Sequence, residues 1–291
     1  AQWNDDYHHA LHTLLTGERD HYYRDFGEME HLSKALREGF VYSGQHSEFR
    51  NRPHGTSSSH INPGRFVVFA QNHDQIGNRA TGDRLTSTLD TKSLRLFAAA
   101  VILSPSIPLI FMGEEYAETA PFPYFISHED PALVEAVRNG RKEEFPHHSG
   151  ELPDPFKMST FESARIDPAI REAGSHKEMF EFYKDTIKLR KSLTALRETP
   201  RDRISVEEYP ETVLMGINHN GQTILIAICL SEEKVEVPLL RGGVWPMKDK
   251  LRRVLCTSER RPYGPWEDQK TCATIKGGLR LEPNSFALYL T

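Results

Sequence analysis

The chain has 291 residues, 26% of them charged and 38% hydrophobic, and a formal net charge of −5. That is enough apolar content for a sizeable core in one or two globular domains. Lys and Arg are scattered rather than striped, which argues against a nucleic-acid surface, no apolar run is long enough to span a bilayer, and Cys229, Cys256 and Cys272, without Cys-x-x-Cys spacing, read as reduced structural thiols of a cytoplasmic protein.

The sequence opens on Ala1 and runs into Gln2-Trp3-Asn4-Asp5-Asp6 without a Met, basic leader or apolar h-region, so Ala1 is expected not to be a natural N-terminus. Residues 1–60 read as a strand end followed by helices. The stretch from His8 to Leu15 has apolar residues at helical spacing and stops at Gly17, a C-cap signal. Met29, Leu32, Leu36 and Phe40 form a packing stripe. Residues 43–63, rich in Gly, Ser, His, Asn and Pro, are expected to be a long loop.

Phe66, Val67, Val68 and Phe69 then predict a short strand buried on both faces. It gives way at once to Gln71, Asn72, His73, Asp74 and Gln75, a cluster of hydrogen-bonding and ionisable groups where the strand should stop. An α/β barrel places its chemistry at such strand ends. Residues 91–103 predict an apolar helix with Asp90 as N-cap, and 107–112 a second apolar strand. Two strands separated by one helix make a parallel β/α unit. Residues 117–160, punctuated by six prolines, read as another long loop, and 176–196 as the last helix. From about Pro200 the pattern changes to short strands around 213–217, 223–230, 235–237, 251–256, 271–275 and 286–290, with His219-Asn220-Gly221 the clearest hairpin.

The motif Phe69-Ala70-Gln71-Asn72-His73-Asp74 resembles the seventh-strand motif of the α-amylase family. Its longer form runs on through Gln75-Ile76-Gly77-Asn78-Arg79, Gly82-Asp83-Arg84-Leu85 and the stretches from Pro108 to Tyr116 and Glu118 to Phe122. With the opening stretch from Ala1 to His12, it resembles the maltooligosyltrehalose trehalohydrolases of that family. The resemblance covers most of residues 1–190. It implies an α/β fold, the C-terminal part of a (β/α)8 TIM barrel (about strands 6–8) over residues 1–199, followed by an all-β sandwich domain at 200–291. It also implies hydrolysis of the α-1,4 bond next to the trehalose unit of maltooligosyltrehalose, without an organic cofactor.

Retaining glycoside hydrolysis needs two carboxyl groups about 5 to 5.5 Å apart, and its transition state carries positive charge on the sugar ring. The resemblance makes Asp74 the third carboxylate that stabilises this charge and His73 the imidazole that holds a ring hydroxyl. Asn72, Gln75 and Arg79 beside them are candidate substrate contacts. So are Trp3, Asp5, Asp6 and His8 at the start of the first helix, Glu115 after the second strand, and Tyr124 in the aromatic loop. Each of these residues has a plain structural alternative, as a helix-start carboxylate or a packed loop side chain. His8 and His12 lie one turn apart, but no His-Glu-x-x-His arrangement accompanies them and no metal is expected.

The family's nucleophile and acid stand in segments N-terminal to any residue here. Arg165-Ile166-Asp167 has the letters of the nucleophile motif but no preceding apolar run, and it reads as a decoy. The chain alone is therefore expected to be inactive. Its partners are expected to be an α-glucan and either the missing N-terminal half-barrel or a second copy, because three strands leave open sheet edges. Two alternatives stay open: a glycogen-branching-type transglycosylase, and a noncatalytic sugar-binding or assembly fragment.

Overall fold

The computed structural model describes residues 1–146, 148–238, 251–257, 274–275 and 278–291. In chain order the elements begin with β1 (Gln2–Trp3), α1 (Asp5–Thr16), α2 (Met29–Glu38), β2 (Ser43–Ser47), β3 (Arg52–Gly55), β4 (Phe66–Phe69), α3 (His73–Gly77), α4 (Thr91–Ile102) and β5 (Ile107–Leu109). The helices α5 (Pro131–Glu144), α6 (Met158–Ser163), α7 (Gly174–Ser192) and α8 (Ala195–Glu198) follow. The strands β6 (Ile204–Tyr209), β7 (Thr212–His219), β8 (Gln222–Cys229), β9 (Val235–Pro238), β10 (Arg252–Cys256), β11 (Thr274–Ile275), β12 (Gly278–Leu281) and β13 (Ser285–Leu290) complete the chain. They group into two compact units, one of residues 1–70, 91–109 and 182–291, the other of residues 71–90 and 110–181.

In the first unit β1, β4 and β5 form a parallel three-stranded sheet in that order, with Gln2 opposite Phe66 and Val67 opposite Ile107. Phe66, Val68 and Phe69 are buried, as are Leu96 to Ile102 of α4 and Leu103 after it. A helix apolar on nearly every side is one covered on nearly every side. Asn4 is the N-cap of α1: its side chain accepts from Tyr7 N at 3.1 Å and its amide donates to Gly39 O at 2.9 Å. The helix ends at Gly17, whose N–H returns to Thr13 O.

The carboxyl end of α4 is closed by Arg190 of α7. Its guanidinium donates to the carbonyls of Ile102, Ser104 and Ser106. Burial, with Arg197 adding, lowers its pKa to about 10, so it stays charged at neutral pH. Arg190→Met keeps the aliphatic stem and orphans three carbonyls, and it is expected to lower unfolding free energy by about 2 to 3 kcal/mol in urea titration. An unchanged midpoint would show that water replaces the guanidinium without loss.

The C-terminal strands form a five-stranded antiparallel sheet, β10-β13-β8-β7-β6, and a three-stranded sheet, β11-β12-β9. Leu214, Leu225, Ala227 and Cys229 of the larger sheet share one buried cluster with Val237, Leu279 and Leu281 of the smaller. This is the packed interior of a sandwich. The opposite face of the large sheet also carries buried residues, among them Met215, Ile226 and Leu288, and α2 and α4 lie against that sheet. Burial on both faces accounts for the unbroken apolar run of β8.

Several expectations change. The predicted strand at 107–112 stops at Leu109, and Ile107, Ile110 and Met112 are exposed. Pro108 has no N–H to donate, and β5 lies at the edge of the sheet with β4 as its neighbour. The loop at 43–63 contains the antiparallel hairpin β2–β3, whose strands lack alternation. The loop at 117–160 contains α5 and α6. Asp130 caps α5 through Ala132 N at 2.8 Å, and Pro131 takes the first helical position, so a proline read as a breaker is a helix starter here. The final helix breaks between Ser192 and Ala195. Strands β6 and β12 went unforeseen because β6 carries Glu207 and Glu208 and β12 is four residues long. Residues 271–273, with Cys272, lie outside the described residues, whereas Cys229 and Cys256 are buried. No helix among the described residues is long and apolar enough to cross a membrane.

Candidate active site

The site in the second unit is built on one local device. As the chain leaves β4, Gln71 and Asn72 stay buried, and Asn72 Oδ1 accepts from Asp74 N at 2.7 Å, capping α3. Gln75, Ile76 and Gly77 form the inward face of this short helix. The next two side chains are thereby turned outward: His73 is 57% exposed and Asp74 62%, with His73 Nε2 3.6 Å from Asp74 Oδ1. Asn72 and Gln75 thus serve as scaffold, while His73 and Asp74 are presented.

They open into a cleft of about 630 Å³, within the range of small-ligand pockets. Its walls include Phe122, Tyr124, Phe125, Phe161 and Arg165. Tyr124 and Phe161 are exposed, and Phe125 packs on Phe161 with centroids 5.3 Å apart. Aromatic faces beside a carboxylate suit a neutral, hydroxyl-rich ligand, whose C–H faces stack and whose hydroxyls bond. Asp74 is the one carboxylate lining this cleft among the described residues.

Three residues hold the aromatic wall. Arg84, 2% exposed, donates to Ala120 O at 2.6 Å and Met112 O at 2.8 Å and lies over the Phe111 ring. Gly82 accepts from Phe122 N at 2.8 Å, at a positive φ of 76° where a Cβ would strike the Pro123 backbone. Glu118, 2% exposed, accepts from Thr119 N, Ala120 N and Asp167 N and from the Tyr116 hydroxyl.

Burial pushes the Glu118 carboxyl up, but these donors outweigh it and hold the group below its ordinary 4.5. The stabilisation is present above pH 4.5 and is lost as pH falls through the lowered value. Glu118→Gln should therefore be less stable at neutral pH and show a shallower loss of thermal midpoint on acidification. Parallel acid limbs in the two proteins would contradict this assignment.

The other candidates fall in different places. Arg79 faces Asp83 at 3.9 Å, and its carbonyl accepts from Arg141. Tyr124 stands in the cleft wall with Arg141 over its ring at 5.1 Å. Glu115 is half-buried and does not line the cleft. Asp167 caps the turn that follows it, through Ala169 N at 2.9 Å, while Arg165 and Ile166 of the same triplet line the cleft. Thr160 and Phe161 belong to α6, which starts inside the stretch that reads as loop, and Arg165 is legible only as part of the decoy triplet.

In the first unit, Trp3, Asp5 and Asp6 line a second cleft of about 450 Å³. Asp6 accepts from Val41 N at 2.8 Å and Tyr42 N at 3.0 Å, and burial raises its pKa against those bonds. His8 is buried, with Nδ1 2.8 Å from Ala70 O and Nε2 2.9 Å from the Tyr23 hydroxyl. Both ring nitrogens are used inside the unit, and His8 does not line the cleft. His12 pairs with Glu18 at 2.9 Å.

No family model matches the chain. It is 45% identical over 191 residues to a malto-oligosyltrehalose trehalohydrolase of Saccharolobus solfataricus, a match covering 66% of this chain and 32% of the relative. It is 39% identical over 244 residues to one of Mycobacterium tuberculosis, covering 82% of this chain and 42% of the relative. The chain thus spans about a third to two fifths of the length of these curated relatives. A 1.4 Å crystal structure assigned as an alpha amylase, from Salmonella typhimurium, superposes with a TM-score of 0.82 at 33% identity, covering 100% of this chain and 46% of that one. The fold is accordingly that of the α-amylases, barrel elements followed by a β domain, and by sequence the chain belongs to the malto-oligosyltrehalose trehalohydrolase family.

Proposed function

We propose that the full-length protein containing this chain is a glycoside hydrolase that cleaves the α-1,4-glucosidic bond next to the trehalose unit of maltooligosyltrehalose and releases trehalose. The observation that carries this reading is the outward presentation of Asp74 beside His73 in an aromatic-walled cleft, within a span similar to named trehalohydrolases. In it β1, β4 and β5 are the sixth, seventh and eighth barrel strands, residues 1–199 belong to the barrel and 200–291 to the β domain.

Asp74 faces the sugar ring as positive charge develops at its anomeric carbon and oxygen, and its carboxylate stabilises that charge where it forms. His73 holds a hydroxyl of the same ring, and Tyr124 offers a face for the next. The nucleophile and the general acid belong, as the resemblance implies, to segments outside this span, and Asp74 is the one carboxylate that lines its cleft among the described residues. Trp3 and Asp5 serve as further sugar contacts. No organic cofactor takes part.

Incubating the full-length protein with maltooligosyltrehalose and, separately, with amylose tests the reading. Free trehalose from the first is the expected product. New α-1,6 branches from the second, with no trehalose from the first, would select the transglycosylase instead.

A further inference from the structure

The cleft that holds Asp74 has walls drawn from two separate stretches of chain. Phe122, Tyr124 and Phe125 stand on one, and Phe161 of α6 and Arg165 just past its end on the other. Near the α6 side the stretches are joined by Ile126 N, which donates to Pro155 O at 2.7 Å, and by the Phe125 ring, which packs on Phe161 at 5.3 Å. Past Phe161 the backbone N–H groups of Ala164 and Arg165 return locally, to Phe161 O and Glu162 O. The N–H of Asp167 does not. It crosses to the Glu118 carboxylate at 2.9 Å and ties this turn to the opposite stretch.

Glu118 divides its two oxygens between the walls. Oε1 accepts from Thr119 N at 2.8 Å and Ala120 N at 2.9 Å, on the run that leads into Phe122. Oε2 accepts from Asp167 N at 2.9 Å and from the Tyr116 hydroxyl at 3.3 Å. The residue is 2% exposed, so bulk water is not at hand to replace a lost partner. Two accepting oxygens belong to a carboxylate, whereas a carboxamide of the same shape has one acceptor and one NH2. A glutamine here would keep its oxygen on the two adjacent N–H groups and turn its NH2 toward Tyr116, whose hydroxyl oxygen can receive it. That NH2 would then meet the N–H of Asp167, donor against donor, and the tie between the walls would open.

We infer that Glu118 is a positioning residue for the reaction: its carboxylate ties the two walls together and sets the width of the cleft in which Asp74 meets its ligand. That the ligand is a glucan rests on the proposed function; the tie does not.

The test takes the full-length protein and measures KM and kcat for maltooligosyltrehalose and Kd for maltotriose by calorimetry, at a temperature where each variant is folded. Glu118→Gln is expected to raise KM and Kd about tenfold, the scale of one lost charge-assisted hydrogen bond, and to lower kcat far less. Tyr116→Phe removes the other donor to Oε2 but leaves the Asp167 bond, and is expected to leave KM nearly unchanged. If Glu118 acts through the wall that carries Phe161, the KM increase from Glu118→Gln should be severalfold smaller in a Phe161→Ala background. A purely structural loss would instead give independent, multiplying effects. Such independence, or unchanged KM and Kd in folded Glu118→Gln, would overturn the inference and, with trehalose released by the wild type, leave the proposed function standing. Coupled changes in the Kd for maltotriose without trehalose release would do the reverse, and a wild-type protein that binds neither sugar would overturn both. Hydrogen exchange on the wild type needs no variant: the Asp167 amide is expected to be protected, and a freely exchanging one would by itself overturn the tie.

Discussion

Asp74→Ala in the full-length protein is expected to lower turnover by at least about 10²-fold, the scale on which removing one preorganised group from developing charge is felt. The structure separates this effect from a folding effect. Asp74 is 62% exposed and lies 3.6 Å from His73 Nε2, itself 57% exposed, so its removal costs no more than about 0.5 kcal/mol of stability. The cap that builds α3 comes from Asn72 and uses the backbone N–H of residue 74, which alanine keeps. Thermal unfolding of the variant should therefore overlay that of the parent. A large drop in midpoint would mean that Asp74 holds structure rather than charge.

Arg84→Met is expected to act through the fold. The guanidinium is buried, spans two carbonyls of the segment that carries the aromatic wall, and lies over Phe111. Methionine fills much of its volume, so the loss isolates the two charge-assisted bonds, and about 3 kcal/mol is the expected cost. Phe122 and Tyr124 would lose their anchor, and turnover should fall with stability. Unfolding by urea and limited proteolysis of residues 112–122 measure both consequences. Arg84→Lys should restore little, because a point charge cannot reach two diverging carbonyls as a planar fork does. Full recovery by lysine would show that charge alone suffices.

The elements that sequence made legible were those with strong local signals. The apolar run at 66–69 became β4 and was followed at once by the polar cluster, and Gly17 ended α1 as its position predicted. The hairpin turn at Asn220-Gly221 and the runs around 213–217 and 223–230 appeared as β7 and β8. What escaped had its cause elsewhere in the chain. The β2–β3 hairpin owes its form to Asp25, some twenty residues upstream, and nothing in 43–55 alternates to announce it. The α5 start was disguised by Pro131.

The site divides in the same way. His73 and Asp74 were legible because a strand end, a cap and a motif coincide in six residues. Phe161 and Arg165 reach the same cleft from ninety residues away, and no periodicity ties them to it. His8 shows the opposite case, a polar residue in a promising stretch whose two ring nitrogens are occupied by Ala70 and Tyr23. Sequence can name the residue type but not its hydrogen-bond partners.

The most direct test of the account is trehalose release from maltooligosyltrehalose by the full-length protein and its Asp74→Ala variant, assayed side by side at a temperature where both are folded. The account predicts trehalose from the first and a rate lower by at least about 10²-fold from the second. Equal rates from two equally folded proteins would contradict it and place the charge-stabilising carboxylate elsewhere.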